Sequence, residues 1–574
     1  MADDMTEDFQ ESFHEMVLPA LNQMLEDPIP RVQAHTCAAL TNFFEGTSDE
    51  IIVNYIQAIM PKLCTLIQGG ISIIKENAVT ALASLAEAAK ANFVPYYEQC
   101  LSFLVQYLAG FNEPVYKQFK GQVIEAVTII SASVGNEKFR PHAAMVIGAM
   151  LEIQNKQLDS KDPQRTYLLS AWQRICLLMG VEFGPYLPSV IPSLFTMATL
   201  SPEMSISGST VTGDIVDVLS EVKPDAVDDK AAKMNVNTDE MEEKDVAIQM
   251  LAVFIDELGG VFAPYVEDAS KILLALIDYE ANDSIRNSVA GALPGLVKCI
   301  KAADSGAALI LQNMSKVFLE SLWKAINKET ETDTLICQVQ AAKEIIDEVG
   351  MQLLPQESID GFAKLLLELY HKSDDRIKEN NELAKNETVE DEDDQIDQDD
   401  LEVIKEENNS EFDLQLSIAE IIGILFKTHG PLTVNLVTEL FTSILPPALS
   451  SSEKQKTKFG LFVMDDMVEF LGPDLLGPHY IHVAKEIIKF TKSPVAAVRQ
   501  AASYGIGIMA EKSGAHFALI ANECLLGLKD AIEYQMPASV KEKKTKVKQF
   551  KHAKDNAVSA LGKILKFQAG TVDA

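Results

Sequence analysis

His479 and His482 are the one close pair among nine histidines. Three residues apart on a helix, two imidazoles share a face and could begin a metal site. No cysteine or second acidic cluster adjoins them, so the pair reads instead as a solvated helix start. The string Asp391-Glu392-Asp393-Asp394 has the letters of an exonuclease carboxylate set. It sits in a run so acidic that solvated charge is the better reading. Neither a phosphate-cradling GxxxxGK[ST], a GxSxG elbow nor an HExxH helix occurs. The seven cysteines, at 37, 64, 100, 176, 299, 337 and 524, are scattered and form no CxxC, as expected of reduced core thiols in a cytosolic or nuclear protein. Gly505 and Gly507 interrupt an Ala-rich helical stretch and read as contacts for close helix packing. No catalytic centre, cofactor or metal is expected.

What remains is the chemistry of charge. The 574 residues hold 84 Asp+Glu against 49 Lys+Arg, a net charge of −35. That excludes a direct nucleic-acid binder, which needs cations to displace phosphate counterions, and favours basic partners. Several acids fall at the ends of helical stretches: Glu45 before Gly46, Asp256-Glu257 before Gly259, Asp347-Glu348 before Gly350 and Glu469 before Gly472, with Glu87 late in its helix. Carboxylates near the negative helix C-terminus cost about 0.3–1 kcal/mol each. Repeating that placement suggests a row awaiting Lys or Arg of a basic segment; chance in so acidic a chain is the other reading. Trp172 beside Arg174 could grip a peptide by apolar and cation–π contact, or pack between repeats. Asn42 could clamp an extended backbone with its donor and acceptor, or satisfy a neighbouring turn.

The elements that must position these residues are helices. Apolar residues recur at i, i+3, i+4 and i+7 almost throughout, as in 79–89, 121–134 and 501–510, and alternating stretches are nearly absent. The expected fold class is all-α. Phe93-Val-Pro95-Tyr96, Phe183-Gly-Pro185-Tyr186 and Phe262-Ala-Pro264-Tyr265 repeat one tetrapeptide, with Phe139-Arg-Pro141-His142 as a looser copy. Pro is at home in a first helical turn. A second element places Arg31, Arg286 and Arg499 near the start of an Ala-rich helix each time. A period of about 40–47 residues with these features matches HEAT repeats, and predicts a superhelical α-solenoid of about eleven helix pairs over 1–574. The second helices are expected near 30–46, 72–90, 114–135, 163–180, 240–258, 282–302, 331–350, 411–429, 452–472, 495–513 and 553–568. A polar loop insertion at 201–238, an acidic disordered insertion at 374–412 and a basic loop at 541–554 interrupt the array. The acidic stretch holds 17 Asp/Glu and 4 Lys/Arg; the basic one holds seven Lys and one Glu. No uninterrupted apolar run approaches the roughly 18 residues of a membrane span, and the opening MADDMTEDF has neither secretory nor transit character.

The strings 24–35 (MLEDPIPRVQAH), 86–97 (AEAAKANFVPYY), 134–139 (VGNEKF), 170–176 (SAWQRIC) and 499–510 (RQAASYGIGIMA) resemble the importin-beta (karyopherin-beta) superfamily, in order along the chain, and most of all its beta-3 branch. The resemblance implies a nuclear transport receptor that binds lysine-rich localisation signals on inner helices and shuttles between cytoplasm and nucleus. It implies ribosomal proteins among the cargo, phenylalanine-glycine nucleoporins as partners and regulation by Ran-GTP. By matching motif it makes Asn42, Glu45, Glu87, Glu125 and Trp172 the cargo-contact candidates. Family members are nearly twice as long. This chain matches their middle-to-late part, without the amino-terminal repeats that make the main Ran contact. A cytosolic HEAT scaffold, or an acidic chaperone for basic proteins, is the alternative.

Overall fold

The structure, a computed structural model, describes residues 8–571 apart from 111–112, 157, 159–161, 201–203, 207–208, 212–233, 237, 304–305, 351–352, 387–397 and 538–543. Its contacts divide the chain into two compact units, Met1–Leu273 with Lys298–Asp304, and Leu274–Val297 with Ser305–Ala574. The sequence had suggested one unbroken array.

In the first unit, the leading helices of successive pairs are Asp8–Met24, Ile56–Gly69, Val94–Ala109, Ala143–Gln154 and Leu187–Ala198. The second helices are Pro30–Phe44, Ser72–Ala89, Lys117–Val134, Gln164–Met179 and Thr238–Leu258. Each second helix packs on its own leading helix or on the next second helix, so the second helices form a continuous layer. Small residues permit this. Ala78, Ala81, Ala83, Ala86 and Ala89 of Ser72–Ala89 are buried, and a methyl at Gly121 would stand 2.1 Å from the Tyr167 ring of the next second helix.

The repeated tetrapeptide is the joint between one pair and the next. Phe93, Phe139, Phe183 and Phe262 are all 0 % exposed. Phe93, Phe183 and Phe262 lie 6.0, 5.9 and 5.7 Å from the tyrosine three residues on. Each of these three sits in a 3-10 turn that leads into a helix. The preceding helix is stopped by a residue with positive φ: Gly46, Gly135, Gly180 and Gly259 in this unit, and Lys90, the only non-glycine with positive φ among the described residues. Glycine adopts that conformation without a Cβ clash and so lets the chain reverse.

The second unit repeats the scheme with Ala308–Lys328 and Thr332–Val349, Gln356–Asn386 and Gln398–His429, His479–Lys489 and Ala496–Lys512, and Ala521–Glu533 and Lys544–Phe567. Between the second and third of these pairs, residues 434–450 and 454–471 each carry a π-helical turn, Leu440–Ile444 and Met467–Leu471. The recurring arginine is structural here. Arg286 holds Glu329 with two bonds of 2.8 and 3.1 Å and donates to the Tyr279 carbonyl. Arg499 donates to the Ser493 carbonyl and lies 3.9 Å from the Tyr534 ring centre and 5.0 Å from that of Phe550. Arg31 is exposed and reaches His35 at 3.5 Å.

Three insertions differ from expectation. Within 201–238 the described residues include three strands, β1 (Met204–Ile206), β2 (Ser209–Val211) and β3 (Met234–Val236), in antiparallel order β2-β1-β3. Met204 is opposite both Val211 and Val236. A polar reading overlooks the short apolar–polar alternation of Met204–Ile206 and Met234–Val236. The stretch 374–412 is helical on both sides of its undescribed centre, which contains Asp391–Asp394. Its acidity predicts a disordered insertion, but the two helices bring cations and amides to the acids. Arg376 grips the buried Glu411 at 2.6 and 2.8 Å, Lys378 and Lys456 hold Asp374, and Asn380 bonds Glu407 and Asn408. From Lys544 onward the basic loop is a helix, because Phe550, Ala553, Ala557, Ala560 and Ile564 recur every three or four residues and are buried.

By length and composition 164–198 and 240–274 would pass as membrane spans, but each is two helices joined by a 3-10 turn, and many of their residues are buried.

Candidate functional site

The first unit gathers three of the five candidate residues into a row. Glu45 follows the last residue of Pro30–Phe44; its N–H donates to the Thr41 carbonyl at 3.2 Å, and its carbonyl accepts from Gln10 Nε2 at 2.9 Å. The backbone is thus pinned from both sides while the carboxylate is exposed. Asn42 is exposed one turn earlier, on the same helical face. Glu87, exposed on the last turn of the next second helix, shares an open cleft with Glu45, Glu11, Ser84 and Lys90.

Glu125 stands on the third second helix, half-buried, 3.9 Å from Arg174 Nη2 on the fourth. Arg174 Nη1 donates to Thr128 Oγ1 at 2.7 Å, which steers the guanidinium onto this helix. Burial raises the Glu125 carboxyl above its ordinary range; Arg174 opposes the shift, and the nearby Glu87 adds to it. Burial likewise lowers the proton affinity of Arg174, against the pull of Glu125 and Glu87. Glu87, Glu125 and Arg174 are therefore within electrostatic reach of one another. Tyr167, whose hydroxyl accepts from Gln118 at 3.0 Å, is raised by burial and then by Glu125 and Glu76. The row consists of carboxylates from consecutive second helices with a single guanidinium among them.

Trp172 does not join it. The side chain is 1 % exposed, its indole N–H donates to Gln154 Oε1 at 2.8 Å, and its ring lies 6.2 Å from Phe183. The periodicity of Gln164–Met179 turns position 172 inward and the neighbouring Arg174 outward, so the residue beside it carries the charge contact. Sequence reading named the tryptophan and passed over Tyr167, Glu76 and Gln118. Residues on matching faces of adjacent helices carry no mutual signal in a linear string.

The histidine pair opens the helix His479–Lys489 with both residues exposed, as a solvated helix start. His479 stacks on Phe441 at 5.0 Å, with His482 at 6.1 Å. Among the described residues no three His, Cys, Asp or Glu converge as metal ligands. All seven cysteines are free thiols; burial pushes Cys37, Cys176, Cys299 and Cys524 up to about 12.

The fold is a HEAT-repeat α-solenoid, a class whose stacked helix pairs present extended binding surfaces. A family model described as "Importin subunit beta-1-like, TPR repeats" matches residues 20–228. Importin subunit beta-3 of Saccharomyces cerevisiae is 29 % identical over 570 residues, covering 97 % of this chain and 49 % of its own length. A probable importin-5 homolog of Dictyostelium discoideum is 25 % identical over 539 residues, covering 92 % and 47 %. The karyopherin Kap121p, in a crystal structure bound to the SUMO protease Ulp1p, superposes with a TM-score of 0.77 at 25 % identity, over 100 % of this chain and 50 % of that one. The chain is thus similar to members of the importin-beta superfamily, importin subunit beta-3 among them. It spans about half the length of the curated relatives it matches.

Proposed function

We propose that this chain is the cargo-holding part of a nuclear transport receptor, and that it binds a lysine-rich localisation segment along Glu45, Glu87 and Glu125. The observation that carries this reading is the row itself. Carboxylates from three successive second helices lie next to one another, two of them exposed in one cleft. An extended peptide with a lysine every few residues is complementary to such a ladder, each ammonium donating three hydrogen bonds to carboxylate oxygens. Asn42, beside Glu45, bonds the peptide backbone. Arg174 sets the register by repelling a lysine from the position opposite Glu125. The importins and karyopherins that the chain is similar to are transport receptors rather than enzymes. Kap121p in complex with Ulp1p supports a protein cargo as the class of ligand. Phenylalanine-glycine nucleoporins, Ran-GTP and ribosomal-protein cargo belong to the same proposal, as does shuttling between cytoplasm and nucleus.

The test is fluorescence anisotropy with a labelled lysine-rich peptide at near-physiological salt. Glu45→Lys with Glu87→Lys should weaken binding about 100-fold, roughly tenfold for each reversed contact. Unchanged affinity in a folded double variant overturns the assignment. Adding excess Ran-GTP to the same complex shows whether these residues respond to the nucleotide-bound switch.

A further inference from the structure

The second unit contains a carboxylate arrangement that the row above does not use. Asp465 and Asp466 end the helix Lys454–Asp466, immediately before the π-helical turn Met467–Leu471. Each lies against a glycine of a neighbouring helix. A methyl at Gly505 would stand 2.1 Å from Asp465 Oδ1, and one at Gly423 would stand 2.1 Å from Asp466 Oδ2. Any other residue at either position would displace the carboxylate, so both glycines make room for acids. Asp465 is 3 % exposed, and neither of its carboxylate oxygens has a hydrogen-bond partner. A buried, unpartnered carboxylate is costly and calls for an explanation. π-Turns also recur where function requires an irregular helix.

Both aspartates line a cleft with Glu420, Tyr504, Gln500 and Gln549. Among the described residues lining the cleft, Glu420 is acidic, Lys458 is the one Lys or Arg, and the others beside the two aspartates are uncharged. Glu420 is held by Lys343 at 2.6 Å, Glu469 accepts from the Tyr504 hydroxyl at 3.3 Å, and the Lys458 ammonium lies 5.0 Å from the Phe462 ring. The unmet demand is for a cation with several donors on a thin stem. A lysine side chain meets it: its ammonium offers three N–H bonds, and its methylenes can pass along Phe462 and Ala501. The neutral amides of Gln500 and Gln549 at the cleft suit the backbone of an extended segment.

We infer that the cleft over Asp465 and Asp466 is a second site for a lysine of a basic peptide segment, separate from the row in the first unit. The inference rests on the reading that the chain binds basic segments and adds a further contact to it. Burial, then Glu469 and Glu420, hold Asp466 near 7, and burial followed by Asp466 and Glu469 raises Asp465 well above the usual carboxylate range, so Asp466 is about half protonated at neutral pH. Arrival of an ammonium expels that proton, and affinity rises as pH increases.

The experiment is isothermal titration of the full chain with an acetylated, amidated peptide of alternating lysine and glycine. The Glu45→Lys/Glu87→Lys variant removes the first row. It should retain one binding event that tightens about tenfold between pH 6 and 8, in step with proton release. Adding Asp465→Asn/Asp466→Asn should abolish that event. Thermal unfolding by circular dichroism checks that this variant folds, and titration of the unsubstituted aspartates in two buffers of different ionisation enthalpy reads proton release independently. No residual event in the first variant, or one indifferent to the aspartates and to pH, overturns the second site and leaves the first standing. Binding lost with the aspartates but untouched by Glu45→Lys/Glu87→Lys does the reverse. Spermidine is the other source of ammonium chemistry. Binding as tight as the peptide's would overturn assignment of the site to a peptide segment.

Discussion

Asp466 shows how one side chain can set a pH response. Its folded pKa of about 7 lies above the unfolded value near 3.9, so the native state keeps a proton that the unfolded chain releases across the window between them. Its contribution therefore favours the folded state below about pH 4 and is lost as pH rises toward 7, then levels off. Asp466→Asn should remove that slope, giving a variant whose melting temperature at pH 8 exceeds that of the unsubstituted protein; a scan at pH 5 and pH 8 checks it. Trp172 makes the opposite kind of claim. Trp172→Phe leaves Gln154 without its donor and should lower unfolding free energy by about 1 kcal/mol, as measured in urea. The same variant should leave peptide affinity unchanged, because the ring is not at the row.

Helix ends govern the next scale. Lys90 occupies, at φ +49°, the place that glycine fills after other second helices. A side chain there is strained, so Lys90→Gly should raise unfolding free energy by about 1 kcal/mol in denaturant titrations. The change also removes a cation from the cleft shared by Glu45 and Glu87, so peptide binding should tighten. The acidic helices provide a matching loss. Arg376 compensates the buried Glu411, and Arg376→Ala leaves that carboxylate uncompensated, at a cost of about 3 kcal/mol, with earlier melting of the second unit. The FxPY joint and the glycine stops were legible as sequence because each depends on neighbours within a few residues. The helices on either side of 387–397 were not. Their acids meet partners 27 to 82 residues away, such as Glu407 with Asn380 and Asp374 with Lys456, and composition counts charge without pairing it.

The whole molecule carries a charge of −35 and should attract basic partners from beyond contact distance. Association rates with a lysine-rich peptide should fall steeply as salt rises, because the screening length shortens from about 10 Å at 0.1 M to about 3 Å at 1 M. Dissociation rates, set by ammonium–carboxylate contacts within the clefts, should move less. Stopped-flow measurements over that salt range separate the two. Equal salt dependence of both rates would mean that the peptide is held by diffuse charge rather than in the row.

Periodicity, the repeated Phe–Pro–Tyr joint and the terminal glycines determined the helices of this protein and their order, since all three express local backbone and packing rules. The sequence also marked Glu45 and Glu87, because position at a helix end is a local property. Only the tertiary structure decided which acids share a cleft, that Trp172 lies in the core while Arg174 reaches Glu125, and that Gly423 and Gly505 seat two aspartates. Those facts depend on the rotation of each helix about its axis and the distance to its neighbour. Both are set by side chains some forty residues away in the chain.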